Sequence, residues 1–90
     1  MRVLQTPKFR KTVKRLKRNQ KSDLDQAIQD VLSRPSIGEQ KLGDLSWLRV
    51  FKFRMVGQLV LLAYEVTEPD AIILHDVGSH ENFYRDLKAR

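Results

Sequence analysis

From Pro7 to Leu16 apolar residues return every third or fourth position. Phe9, Val13 and Leu16 share one helical face, while Lys11, Lys14, Arg15 and Arg18 fall largely on the other. Pro7 suits the first helical position, where its missing N–H would be unpaired anyway. Val3–Thr6 before it reads as a short extended segment. Asn19-Gln20-Lys21 reads as a turn and Ser22 as the N-cap of a second helix, with Asp23 and Asp25 in its first turn. Leu24, Ala27, Ile28, Val31 and Leu32 form that helix's apolar face, and Pro35 ends it. Two amphipathic helices joined by so short a link predict an antiparallel helical hairpin.

After Pro35 the period changes. Pro35-Ser36-Ile37-Gly38 and Gly43-Asp44 read as loops. From Leu48 to Met55 the alternation is twofold: Phe51, Phe53 and Met55 point one way, and Val50, Lys52 and Arg54 the other. Val56-Gly57-Gln58 predicts a hairpin turn, and Leu59–Val66 a strand apolar on both faces. A turn at Glu68-Pro69-Asp70 leads to a third strand, Ala71–Asp76. Beyond Gly78, His80–Arg90 reads as a short helix with Ser79 as its cap. The result is an α+β domain: an N-terminal helical hairpin packed on a small antiparallel sheet. Phe9, Val13, Leu16, Leu24, Ile28, Val31, Phe51, Phe53 and Leu62 are the expected core. The opposite sheet face carries Lys52 and Arg54 and is the natural place for a polar ligand.

Ninety residues suffice for one such domain, 1–90, with little room for a deep pocket. The absence of cysteine excludes disulfides and thiolate metal sites, and two histidines make a poor structural zinc site. The longest apolar stretch, Leu59–Tyr64, is far short of the ~20 residues a membrane span needs. Met1–Gln5 lacks the apolar core of a signal peptide, so a cytoplasmic location away from membranes is expected. Charge adds the next constraint. The net charge is +6, but residues 1–21 hold nine basic residues and no acid, whereas residues 22–90 hold eight basic and eleven acidic ones. So concentrated a positive segment points to a polyanionic partner, nucleic acid or an acidic protein segment.

No phosphate-cradling glycine loop, nucleophile elbow or paired carboxylate stands out. The set with chemical potential is basic. Lys52 and Arg54 are two apart on a strand, sharing a face about 7 Å apart. Arg49 lies just upstream, His80 follows the last strand, and Tyr84 is one helical turn further. Metal-independent RNA cleavage needs a base for the 2′-hydroxyl, an acid for the leaving 5′-oxygen, and cations around the phosphate. His80 suits either proton transfer near neutral pH, Lys52 and Arg54 suit the phosphate, and Tyr84 suits a base or the phosphate. Lys14, Arg15 and Arg18 on the helical face, with Arg49 and Arg85, are the expected RNA-contacting cations. His75 and Tyr64 are expected in packing roles and Trp47 at the core edge. No metal or other cofactor is expected.

The ordered set of segments resembles the RelE/ParE superfamily of bacterial type II toxins. It comprises the helical hairpin ending in Pro35-Ser36-Ile37-Gly38-Glu39, the stretch Lys41-Leu42-Gly43-Asp44-Leu45, the strand Leu48–Arg54, the strand Leu61–Val66, and the ending Val77-Gly78-Ser79-His80. The resemblance implies a microbial-RNase-like fold, a toxin role, and a cognate antitoxin that wraps and neutralises it. It also leaves two activities open. RelE-like members cut mRNA in the ribosomal A site, and ParE-like members inhibit DNA gyrase. Lys52 and Arg54 match the aromatic-basic-apolar-basic strand of the ribonucleases, and His80 falls where they carry a catalytic Arg or His. Tyr84 stands near, but not at, the spacing of their tyrosine. Their arginine on the following strand has no counterpart, since Leu59–Leu61 stand there. A gyrase binder has no need of a titratable group beside two cations, so the ribonuclease is the expected activity.

Overall fold

The computed structural model describes residues 2–67 and 69–79. The chain forms β1 (Arg2–Gln5), α1 (Pro7–Lys14), α2 (Arg18–Ser33), β2 (Glu39–Gln40), a 3₁₀ turn (Gly43–Leu45), β3 (Arg49–Met55), β4 (Gln58–Thr67) and β5 (Ala71–Gly78). The five strands lie in the order β1-β5-β4-β3-β2. β3–β4 and β4–β5 pair antiparallel, as the three-strand reading expects, and β2, a strand that reading did not include, adds antiparallel to β3. β1 departs from it: it adds an edge to β5 in parallel, Arg2 opposite Ala71 through Gln5 opposite Leu74, so the sheet is mixed.

Alternation along the strands builds two apolar clusters. On the helix side, Met55, Val60, Leu62, Tyr64, Ile72, Leu74 and Val77 pack with Phe9, Leu24, Ala27 and Val31, flanked by Val13, Leu16, Ile28, Phe51 and Phe53. Every residue of the expected core is there. On the other side, Leu45, Leu48, Val50, Leu61 and Ala63 form a smaller cluster under the 41–48 segment. The expected short helix His80–Arg90 lies outside the described residues.

The helix junction differs from the expected one. The break falls at Arg15–Lys17, and Asn19-Gln20-Lys21 and Ser22 lie inside α2. Tight bonds from Arg15 N–H to the Thr12 carbonyl and from Leu16 N–H to the Val13 carbonyl end α1 early. The Gln20 side chain then accepts from the Lys17 N–H at 2.8 Å, one half of a capping box, so a residue that reads as turn-forming instead starts the helix. Asp23 thereby moves out of the first turn. Its Oδ2 accepts from the Val56 N–H at 2.7 Å, securing the β3–β4 hairpin. That turn needs the help: Val56 and Gly57 both have positive φ, 50° and 82°, and a β-branched residue is strained there.

α1 has two turns, too few for stability alone. Thr6 anchors it: its Oγ1 accepts from the Phe9 N–H and donates to the His75 carbonyl, both at 3.1 Å. At the far end of α2, Tyr64 organises the loop after Pro35. Its hydroxyl donates to the Pro35 carbonyl at 2.7 Å and accepts from the Gly38 N–H at 2.9 Å. A β-carbon on Gly38 would stand 2.6 Å from that hydroxyl, so only glycine fits without a shift. Burial pushes the Tyr64 phenol above its ordinary pKa, opposed by weaker effects from the Gly38 N–H and the Arg49 charge.

Tyr64→Phe leaves the buried Gly38 N–H without its partner and should cost about 1–3 kcal/mol in urea unfolding. The native phenol holds its proton more tightly than the unfolded one. Its contribution is therefore complete below pH 10 and shrinks as pH rises through the raised value. The stability gap between wild type and Tyr64→Phe should narrow above pH 10. A gap that widens there would contradict the assignment. Gly38→Ala should destabilise by a similar ~1–3 kcal/mol through overpacking, and the double variant with Tyr64→Phe should recover part of that loss.

Candidate nucleic-acid interface

β3 places Lys52 and Arg54 side by side on the face turned away from the helices, both exposed. Arg54 lies opposite Leu59 and Lys52 opposite Leu61 on β4. Leu61 in turn lies opposite Gly78 on β5, so Lys52, Leu61 and Gly78 form one row across three strands. β5 ends at Gly78, the outer member of that row. The Arg54 guanidinium is steadied by Nη1 donating to the Gly57 carbonyl at 3.1 Å. The 41–48 segment covers the middle of this face but not its Arg54 end.

Glu39, which the sequence reading did not single out, stands near Lys52. It lies on β2 opposite Val50, and its Oε1 is 2.9 Å from Lys41 Nζ. The Lys41 hydrogen bond, then the Lys41 charge and more weakly Lys52, hold its carboxyl below the usual range. It stays ionised at neutral pH, so it can accept a proton but holds none to give. The other missed residue is Leu59, exposed beside Arg54. In sequence it reads as one more apolar residue of a buried strand; in the structure the cover over Leu61 stops short of it.

The remaining expected cations separate. Arg49 belongs to the Phe51 face, as strict alternation requires. Its Nη1 donates to the carbonyls of Gly38 at 2.8 Å and Ser36 at 3.3 Å, so it braces the loop after α2 and does not share the face of Lys52 and Arg54. Lys14, Arg15 and Arg18 surround the α1–α2 junction and are all exposed. Asp23 reaches the Val56 turn and Pro35 sits over Tyr64, so α2 runs antiparallel to β3 and its first turn projects past the hairpin. These cations therefore gather at the Arg54 end of the molecule, on the helix layer. Among the described residues none of the three forms an ion pair. His80, Tyr84 and Arg85 lie outside the described residues.

His75 and Tyr64 have the packing roles expected of them. β5 carries one extra residue where Ala63 pairs with Asp76 but Tyr64 with Leu74, and His75 is that residue. Its Nε2 is 3.0 Å from Glu65 Oε1. Trp47 meets the His75 ring edge-on at 4.9 Å between centroids; it is 41% exposed, so it lies over the sheet without closing the core. The neighbouring Asp76 carboxylate takes Lys8 Nζ at 3.0 Å, tying α1 to the end of β5. Among the described residues no group of three or more His, Cys, Asp or Glu side chains is placed to hold a metal. No described helix is long and apolar enough to cross a membrane.

Three solved structures share this architecture. E. coli RelE in the intact RelBE toxin–antitoxin complex superposes with a TM-score of 0.71 at 22% identity, over 89% of this chain and 96% of that one. A free double mutant of E. coli RelE gives 0.75 at 20% identity, over 98% and 92%. The same mutant bound to an antitoxin RelBc peptide gives 0.70 at 21% identity, over 99% and 93%. At these identities the likeness establishes the fold. No curated protein matches the chain. The family model for the ParE-like toxin of type II bacterial toxin–antitoxin systems matches residues 3–88, nearly the whole domain, and the chain belongs to that family.

Proposed function

We propose that this toxin is an endoribonuclease that cuts mRNA on the ribosome and so blocks translation in the cytoplasm. The observation that carries the reading is the exposed pair Lys52 and Arg54, side by side on the sheet face turned away from the helices. In this reading the 2′-oxygen attacks the adjacent phosphorus and the bond to the 5′-oxygen breaks. The products are a 2′,3′-cyclic phosphate and a 5′-hydroxyl end. Lys52 and Arg54 neutralise the charge growing on the phosphate oxygens. His80 is assigned one of the two proton transfers, with Tyr84 assisting. Arg85 and the junction cations Lys14, Arg15 and Arg18 supply further phosphate contacts. No metal enters this scheme.

A second reading has its own support. The family match is to ParE-like toxins, and leucines occupy β4 opposite both cations, so a non-enzymatic inhibitor of DNA gyrase is the alternative. Induced expression separates the two when protein synthesis and DNA supercoiling are read in parallel. His80→Ala should relieve growth arrest, since losing a positioned acid or base costs ~10²–10⁴-fold in rate. Lys52→Ala and Arg54→Ala should each relieve it in part. If all three soluble variants arrest growth like the parent while mRNA stays intact, the nuclease reading fails and the gyrase reading takes its place.

The RelE structures include antitoxin-bound forms, and a cognate antitoxin is proposed here too. Residues 1–21 concentrate nine positive charges, so an acidic antitoxin segment should associate fast at low ionic strength and markedly more slowly as salt rises. An association rate unchanged between about 50 mM and about 500 mM salt would exclude steering by this segment.

A further inference from the structure

We propose that Leu59 is the platform on which one unstacked base of a single-stranded RNA lies while Lys52 and Arg54 hold its phosphates. This inference deepens the ribonuclease reading and rests on it.

Register carries the argument. Arg54 and Leu59 face each other across β3 and β4, so their side chains stand on the same side of the sheet as direct neighbours. Two residues along, Lys52 faces Leu61 in the same way. The two leucines differ in one respect. Leu61 is fully buried in the cluster with Leu45, Leu48, Val50 and Ala63, while Leu59 is 46% exposed. The cover provided by the 41–48 segment therefore stops between them. An apolar surface is left open beside a guanidinium that the Gly57 carbonyl holds in place.

The chemistry of that patch selects its occupant. Its cations want an anion, and the leucine wants a flat apolar group one side-chain width away. A nucleotide with its base out of the stack offers both. Duplex RNA hides its base faces, so the fit is to a single strand. The exposed cations Lys14, Arg15 and Arg18 at the same end extend the positive field along which such a strand would run.

The test is a binding titration with the full-length protein. The probes are a 2′-O-methyl octaribonucleotide, which lacks the attacking hydroxyl, and the same chain with one abasic sugar moved along it. Wild type should bind the base-bearing chain about fivefold more tightly than the abasic chain at one position. That corresponds to covering roughly 40 Å² of leucine at about 25 cal/mol per Å². Leu59→Ala should erase this preference and leave affinity for the abasic chain unchanged. Leu59→Met, similar in size, should keep the preference. Lys52→Ala and Arg54→Ala should weaken both chains equally. RNA binding that depends on Lys52 and Arg54 but shows no base preference, or one that Leu59→Ala leaves intact, overturns the inference alone. Binding indifferent to Lys52 and Arg54 overturns it together with the ribonuclease reading.

Discussion

Everything in this molecule is hung on β4, the middle strand of the sheet, from Val60 to Tyr64 buried on both faces. Val60, Leu62 and Tyr64 need the helices, while Leu61 and Ala63 need a second cover that the 41–48 segment supplies. A small domain has few ways to cover both faces of a strand. Among the described residues, one side takes two helices and the other a short loop. That inequality leaves the Arg54 end of the loop-covered face open.

The site thus arises as a by-product of packing economy. β3 alternates because one face must feed the helix-side core with Phe51, Phe53 and Met55, and the residues between them necessarily face outward. The same register that exposes Lys52 and Arg54 turns Arg49 inward, where it clamps the loop that Tyr64 also holds. Tyr64 and Arg49 are thereby linked to the site only through the strands they share with it. The hairpin that carries Arg54 is in turn secured from the helix layer, by Asp23 at the Val56 amide.

Much of this was legible in the chain. The periodic segments yield both helices, three of the strands and the two faces of β3, because hydrophobic spacing is set by burial and burial dominates folding. What escaped has specific causes. Gln20 reads as a turn residue, yet its side chain caps the helix it precedes in the pattern, a choice decided by one hydrogen bond. β1 is exposed along its length, so nothing in its pattern reveals a parallel partner far away in sequence. Leu59 and Glu39 carry no motif. Their relevance comes from being opposite Arg54 and near Lys52, a relation that exists only once the register is known. The family resemblance reached the toxin fold and role, whereas the activity depends on a handful of side chains that the fold alone does not select.

The most direct measurement of the central claim, that the open sheet face acts on RNA, is a cell-free translation reaction rebuilt from purified components, with the 5′ ends of a defined mRNA mapped after the toxin is added. The account predicts new 5′-hydroxyl ends within the translated region that appear only when ribosomes are present and vanish with a Lys52→Ala/Arg54→Ala toxin. An mRNA left intact by a toxin that stops purified gyrase from supercoiling DNA would contradict it.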